Sequence, residues 1–144
     1  MTNEELVAKA LEARKMAYAP YSHHTVGAAL LTKDDKVYLG CNIENAAYTP
    51  TNCAERTAVF KAVSEGEREF KAIAIVGGPD NADKLSLCAP CGVCRQVLNE
   101  FVDADTFDVV LGTDVPSDYK TFKLSELLPL GFGPKSMAFL HDYK

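Results

Sequence analysis

The sequence has no long apolar run and no basic leader segment. Its apolar residues make up 47% of the chain but are divided among short segments, whereas a helix that crosses a bilayer needs roughly 20 consecutive apolar residues. The first ten residues, MTNEELVAKA, are polar and lack the basic and then apolar pattern of a secretion signal. We therefore expect a protein that has no membrane partner and stays in the cytoplasm.

The sequence also lacks a basic patch. Its 15 lysines and arginines are scattered and are outnumbered by 20 acidic residues, which gives a net charge of −5. Binding to a nucleic-acid backbone normally requires clustered positive charge, so no nucleic-acid partner is expected and a small molecule is favoured. Internal repeats, low-complexity tracts and linkers are absent, and 144 residues suit one core. The prediction is a single domain, 1–144.

The number of cysteines is odd. There are five, and three of them fall within the seven residues CAPCGVC, at Cys88, Cys91 and Cys94. The other two are Cys41 and Cys53. In a chain without a secretion signal, clustered cysteines bind metal or carry out redox chemistry more often than they form structural disulfides. The composition therefore directs attention to a metal or redox site.

Hydrophobic periodicity predicts alternating helices and strands after an opening hairpin. Caps and breakers refine the bounds: Thr2 or Asn3 begins the first helix, Gly66 ends the second, and Pro90 begins the third. Such an alternation predicts an α/β fold, a three-layer α/β/α domain with a mixed sheet of about five strands. The predicted helices are 3–17, 53–65, 90–101 and 124–129, and the predicted strands are 25–32, 36–42, 71–77, 107–112 and 119–124.

Cys91 and Cys94 are three residues apart at a predicted helix start, and Cys53 occupies the start of another helix. If both helix N-termini meet, three thiolates can bind one zinc ion and leave the fourth tetrahedral position for water, as in a catalytic site. Two alternatives remain at this point. One is a closed site with Cys88 or Cys41 as a fourth ligand, and the other is a redox dithiol formed by Cys91 and Cys94.

Glu55 and Arg56 follow Cys53 directly. As a structural residue, Glu55 would complete a capping box on an Asn52 cap; as a general acid/base, its carboxylate would project past the helix end next to a metal-bound water. The second interpretation explains Glu55 together with the three cysteines. Arg56 is either a surface arginine or a donor to the thiolate sulfurs that draws off their charge.

These motifs resemble the cytidine deaminase family, specifically its small, homotetrameric, three-cysteine branch. CAE at Cys53 to Glu55 followed by PCGVC at Pro90 to Cys94 is similar to the zinc deaminase signature. The similarity extends over nearly the whole chain. Further matching segments are YAPYS at 18–22, VGAALL at 26–31, GCNIENAAY at 40–48, CRQV at 94–97 and ELLP at 126–129.

The resemblance implies hydrolytic deamination of cytidine and 2′-deoxycytidine in pyrimidine salvage. It implies Zn²⁺ on Cys53, Cys91 and Cys94, with Glu55 as the proton shuttle. It also implies a homotetramer whose active sites are shared between subunits. Its implied substrate contacts are Asn42 and Glu44 on the ribose 3′-hydroxyl, the Ala54 amide on the pyrimidine carbonyl, Ala46 and Tyr48 at a neighbouring subunit's sugar pocket, and Phe132 stacking on the base across a subunit boundary.

His24 departs from the family pattern, which has a phenylalanine at this position to pack against the base. An imidazole can stack, but it has a polar edge and titrates near neutral pH, so we expect weaker or pH-dependent nucleoside binding. His23 and His141 are predicted to be ordinary surface histidines. Two other functions remain alternatives: deamination of another aminopyrimidine, such as a nucleoside antibiotic, and a non-enzymatic zinc-stabilised binding module.

Overall fold

The computed structural model describes the backbone of residues 1–143 and the side chains of residues 1–138. It contains a five-stranded sheet and four α-helices, followed by a 3-10 helix at Pro134–Tyr143. Every predicted strand and helix is present. The strands are β1 His24–Thr32, β2 Val37–Cys41, β3 Phe70–Pro79, β4 Asp108–Gly112 and β5 Tyr119–Lys123, and the helices are α1 Asn3–Arg14, α2 Ala54–Ser64, α3 Gly92–Phe101 and α4 Leu124–Leu127.

The sheet is mixed, with strand order β2-β1-β3-β4-β5. β3 and β4 are parallel, and the other three neighbouring pairs are antiparallel. β3 lies at the centre and is buried along most of its length, as expected of a strand covered on both faces. This confirms the predicted mixed sheet of five strands.

Two separate apolar clusters cover the two faces of the sheet. One face packs against α1, and the buried residues there include Leu6, Val7 and Ala10. The other face packs against α2, α3 and α4, with Ala58, Leu98 and Leu124 among its buried residues. The domain is therefore a three-layer α/β/α structure, as predicted.

Three helix ends differ from the predicted ones by two or three residues: the C-termini of α1 and α4 and the N-terminus of α3. α1 ends at Arg14, and the next three amides bond to carbonyls three residues back before Tyr18 pairs with Asn42. α3 begins at Gly92, because Cys91 is extended and its Sγ accepts a hydrogen bond from the Cys94 amide as an N-cap. Pro90 therefore lies outside the helix. The second helix does end before Gly66, whose φ is +99°.

Gly40 on β2 allows α2 to approach the sheet closely. A Cβ at this position would lie 2.5 Å from the Ala58 amide nitrogen and would also clash with the carbonyl of Ala54. The close approach fixes the first turn of α2, where Cys53 and Glu55 lie. Among the described residues, none of the helices has the length and hydropathy of a transmembrane span.

Candidate active site

The three predicted metal-binding cysteines meet at the N-termini of α2 and α3. Cys53 is the N-cap of α2, while Cys91 is the N-cap and Cys94 the third residue of α3. Their Sγ atoms lie within 4.8 Å of one another, and Cys53 and Cys91 are 3.8 Å apart. Tetrahedral Zn–S bonds of about 2.3 Å place two sulfurs about 3.8 Å from each other. The donor set and its spacing therefore fit a zinc ion.

Cys41 and Cys88 are not part of this cluster among the described residues. Both are free thiols and partly buried, and burial raises the pKa of Cys88 to about 11. A closed four-cysteine site therefore has no support in the geometry. The three-cysteine group leaves a tetrahedral ion one position for a further ligand, which is the arrangement of catalytic zinc sites.

The cluster already favours negative charge on one sulfur. The pKa of Cys53 falls to about 5, chiefly because the Cys94 thiol donates a hydrogen bond to it and because the Arg56 guanidinium is nearby. The same hydrogen bond, together with burial, raises the pKa of Cys94. Since metal ligation requires thiolates, binding of a divalent cation by all three cysteines would release the thiol protons that remain on the cluster.

Glu55 is the second residue of α2 and is 4% exposed. Burial, and to a smaller extent the nearby charge of Cys53, raise the pKa of its carboxyl to about 7, although hydrogen bonds from its own backbone and from Cys94 oppose the shift. The predicted capping alternative fails, because the N-cap is Cys53 and not Asn52. A buried carboxyl that titrates near neutrality beside a metal cluster is suited to proton transfer.

Arg56 faces the cluster and not only solvent. Its Nη2 donates to the Sγ of Cys53 at 3.2 Å. This hydrogen bond raises the pKa of the guanidinium, so the cation remains charged at any physiological pH. The arginine is therefore placed where it could compensate part of the negative charge that three thiolates would concentrate at one point.

Asn52 and Thr57 hold Cys53 in place, and sequence reasoning assigned them no such role. The Asn52 Nδ2 donates to the Thr57 hydroxyl at 3.1 Å, and that hydroxyl donates to the Cys53 carbonyl at 3.1 Å. The backbone of Asn52 also pairs with Ile43. In the sequence, the signal for these hydrogen bonds is the position of an asparagine just before the CAE motif and a threonine shortly after it.

His24 and Asn42 lie together at the start of β1. Asn42 is buried, and its Oδ1 accepts from the Val26 amide at 2.9 Å while its Nδ2 donates to the His24 carbonyl at 2.8 Å. The His24 side chain is exposed. Asn42 therefore fixes the backbone of His24, and one N–H of its amide group is left for a ligand.

Glu44 lies at an open cleft of about 400 Å³ that is also lined by Tyr21, Ser22 and Tyr48. Its carboxylate accepts from the amides of Tyr21 at 2.9 Å and Ser22 at 3.1 Å, and from the Ser22 hydroxyl. The hydrogen bond from the hydroxyl is the main reason that the pKa of Glu44 is lowered. Ser22 belongs to the YAPYS segment but was given no role from sequence.

The remaining predicted contacts occupy different elements. Ala54 is the first residue of α2 and is fully buried, so its amide is one of the free N–H groups at the helix end. Ala46 lies in the exposed loop before Tyr48, which is 71% exposed and contacts the Tyr21 ring edge-on. Phe132 is 60% exposed on the C-terminal segment.

Of the other two histidines, only His23 has a side chain within the described residues. His23 is exposed and lies 3.4 Å from the Asp80 carboxylate. The side chain of His141 lies outside the described residues.

The α/β/α fold brings three thiols together beside a buried carboxyl and an arginine. This arrangement is that of a zinc-dependent enzyme. A family model described as "Cytidine and deoxycytidylate deaminase zinc-binding region" matches residues 1–111. The chain belongs to this family, and its cofactor is zinc.

Relatives in two bacteria are similar over almost their full length. A protein named "Cytidine deaminase" from Sporosarcina psychrophila is 48% identical, covering 96% of this chain and 97% of the relative. One with the same name from Halalkalibacterium halodurans is 50% identical, with 95% and 98% covered. A crystal structure of cytidine deaminase from Burkholderia pseudomallei has a TM-score of 0.81 at 48% identity, covering 92% of this chain and all of that one.

A more distant relative has a different name. "Blasticidin-S deaminase" from Bacillus cereus is 33% identical over 131 residues, covering 89% of this chain and 90% of the relative. Family membership alone therefore does not determine which amine is the substrate. The residues around the metal-binding cysteines determine it.

Proposed function

We propose that this chain catalyses the zinc-dependent hydrolytic deamination of cytidine and 2′-deoxycytidine to uridine and 2′-deoxyuridine, with release of ammonia. The observation that carries the proposal is the meeting of three thiols within 4.8 Å of one another beside the buried carboxyl of Glu55. Relatives named cytidine deaminase at 48% and 50% identity support the same conclusion.

Cys53, Cys91 and Cys94 would hold the zinc ion, and Arg56 would compensate the charge of their thiolates. When bound, zinc lowers the pKa of a coordinated water towards neutrality. The chain supplies what the ion does not: two helix N-termini that stabilise thiolates and a carboxyl buried within one turn of the ligands.

Glu55 is the group that moves protons. Its carboxylate takes a proton from the attacking water and delivers it to N3 of the pyrimidine ring as oxygen bonds to C4. It then transfers the second proton of that water to the amine, and the C4–N bond breaks to release ammonia and the uridine. A carboxyl whose pKa is about 7 can act in both directions at neutral pH.

Substrate binding is assigned to residues around the cluster. Asn42 and Glu44 would hold the ribose 3′-hydroxyl, which cytidine and 2′-deoxycytidine share, and the Ala54 amide would bind the pyrimidine carbonyl. His24 would pack against the base. The remaining contacts would be made by Ala46 and Tyr48 at a neighbouring subunit's sugar and by Phe132 on the base.

We further propose that the single domain over residues 1–144 assembles as a homotetramer with shared sites and acts in pyrimidine salvage in the cytoplasm. The single chain exposes large aromatic side chains, including Tyr48, Phe60 and Phe132, and aromatic residues are enriched in protein–protein interfaces. Light scattering coupled to size-exclusion chromatography measures the assembly mass. A monomer that is fully active would contradict the shared-site assignment.

Purified protein incubated with cytidine tests the activity directly. The ultraviolet absorbance change from cytidine to uridine should appear together with stoichiometric ammonia, and the same sample should contain about one zinc per chain. A chain with zinc but without turnover of any pyrimidine would support a zinc-stabilised binding module instead.

A second candidate substrate is another aminopyrimidine nucleoside. His24, which replaces the aromatic residue of the family pattern, and the relative named Blasticidin-S deaminase favour including it. A panel that follows ammonia release from cytidine, 2′-deoxycytidine and blasticidin S separates the two. A kcat/KM for blasticidin S above that for cytidine would reassign the substrate.

A further inference from the structure

The C-terminal segment that carries Phe132 is held by helix α3, the helix that supplies two of the three thiols. Leu130 is fully exposed and Phe132 is 60% exposed, so burial contributes little to holding these two side chains. What holds the segment is a set of hydrogen bonds from α3 side chains to its backbone carbonyls.

Two of these bonds converge on one atom. The Gln96 Nε2 donates to the Phe132 carbonyl at 2.8 Å, and the Asn99 Nδ2 donates to the same oxygen at 2.9 Å. Residues three apart lie on one face of a helix, so both amides reach the same point. A carbonyl oxygen has two lone pairs, and this one uses both for α3.

The neighbouring residues fit the same arrangement. The Arg95 Nε donates to the Pro90 carbonyl at 2.8 Å, and its Nη1 donates to the Leu127 carbonyl at 2.6 Å. Arg95 thereby joins the loop before Cys91 to the end of α4. A Cβ at Gly133 would lie 2.7 Å from the Asn99 Nδ2, so a glycine leaves room for the asparagine to reach the carbonyl.

We propose that Gln96 and Asn99 are positioning residues that act through Phe132. By fixing the Phe132 carbonyl, they fix the direction in which its ring leaves the chain, and therefore how well the ring is pre-organised to stack on a pyrimidine. Pre-organisation of this kind changes binding and not the chemical step. The inference rests on the proposed function, because it takes a pyrimidine nucleoside as the ligand of the ring.

The kinetic test removes each donor at nearly constant size. Gln96→Met and Asn99→Leu should each raise KM for cytidine by about two- to tenfold, while kcat and zinc per chain stay at the wild-type level. Glu100→Gln is the matched control, because Glu100 is exposed on the same helix and its side chain makes no hydrogen bond among the described residues. It should leave KM unchanged.

A double-variant comparison distinguishes positioning from general support of α3. In a Phe132→Ala background, where there is no ring to orient, Gln96→Met and Asn99→Leu should have almost no further effect on KM. Effects that persist undiminished in this background would overturn the proposal. So would a loss of zinc or of kcat with KM unchanged, since that result would mean that the two amides support the metal site.

A spectroscopic test of the order at residue 132 does not require turnover. The chain contains no tryptophan, so Phe132→Trp introduces a single indole at the position of interest. Gln96→Met and Asn99→Leu added to this variant should lower the fluorescence anisotropy of the indole, and Glu100→Gln should not. Unchanged anisotropy would overturn the proposal. If cytidine is not a substrate, the proposed function fails in the activity assay, while anisotropy still decides whether the two amides order residue 132.

Discussion

The guanidinium Nη2 of Arg56 lies 3.2 Å from the Sγ of Cys53. The two residues are three apart across the start of α2, so the N-cap thiol and the arginine side chain share one helix face. Three thiolates around one divalent cation leave a net negative charge, which works against the acidity of a bound water. A permanent cation in contact with one of the sulfurs reduces that effect.

We predict that Arg56→Gln weakens zinc affinity or kcat/KM by about 10- to 100-fold, the usual cost of losing a partner of a metal ligand. Arg56→Lys should retain more activity than Arg56→Gln because lysine keeps the positive charge. It should not restore full activity, because lysine lacks the planar guanidinium. Zinc competition with a chelator and steady-state kinetics measure the two quantities. Arg68→Gln is the control, since Arg68 is exposed and bonds only backbone carbonyls among the described residues. If Arg56→Gln behaves like this control, the charge-compensation role is wrong.

Glu55→Gln separates metal binding from proton transfer. The amide has nearly the same shape as the carboxyl but cannot carry a proton between water and substrate. We expect zinc per chain to stay unchanged and kcat to fall by at least about a hundred- to ten-thousandfold, the range typical of a general acid/base. Metal analysis and single-turnover kinetics check both parts. A Glu55→Gln variant with near-normal turnover would refute the proton-shuttle mechanism.

The elements and the metal cluster were predictable because their signals are local. Periodicity located the strands and helices, and a helix start next to each cysteine motif predicted that Cys53 and Cys91 would converge. The structure confirms that convergence. The caps were less accurate: Pro90 was expected to begin the third helix, and Asn52 was the cap in the capping-box alternative for Glu55, but Cys53 and Cys91 are the N-caps. Ordinary capping rules did not anticipate a thiol in that role.

Contacts between distant segments could not be predicted in the same way. Ser22 binds Glu44 across 22 residues, and Gln96 binds the Phe132 carbonyl across 36. Hydrogen bonds from side chains to remote backbone atoms have no fixed spacing, so the sequence has no periodic signal for them. They depend on how the loops pack after the sheet has formed. For the same reason, the roles of Ser22, Gln96 and Asn99 emerged only from the structure.

Cys88→Ser and Cys91→Ser form a matched pair that tests the open site. Cys91 Sγ lies in the cluster, whereas Cys88 does not belong to it among the described residues. We expect Cys91→Ser to lose most zinc and activity, and Cys88→Ser to keep both, with a small change in thermal stability because the thiol is only partly buried. Zinc per chain after dialysis measures the outcome. If Cys88→Ser loses its metal, the site is a closed four-cysteine site.

His24→Phe tests the departure from the family pattern. His24 is exposed at the start of β1, with its carbonyl fixed by Asn42, so the substitution should not disturb the fold. We expect a lower KM for cytidine, because a phenyl ring stacks without a polar edge, and a KM that depends less on pH, because a phenyl ring has no group that gains or loses a proton. His23→Phe is the control. Superimposable profiles of KM against pH for wild type and His24→Phe would eliminate a role for His24 in binding.

Glu44→Gln tests whether the Glu44 carboxylate stabilises the fold in addition to its proposed role in binding the sugar. The pKa of Glu44 is lowered, mainly by the Ser22 hydroxyl and also by the two amides it accepts from. A depressed pKa means that the carboxylate stabilises the folded state above its unfolded pKa, and that this stabilisation is lost as pH falls through the folded value. The wild type should therefore have a higher Tm than Glu44→Gln at pH 7, and the difference should shrink towards about pH 3.

Because Glu44 is solvent-accessible, the effect should be small, and Ser22→Ala should reproduce part of it. A Tm difference that is the same at both pH values would show that the charge of Glu44 does not contribute to stability.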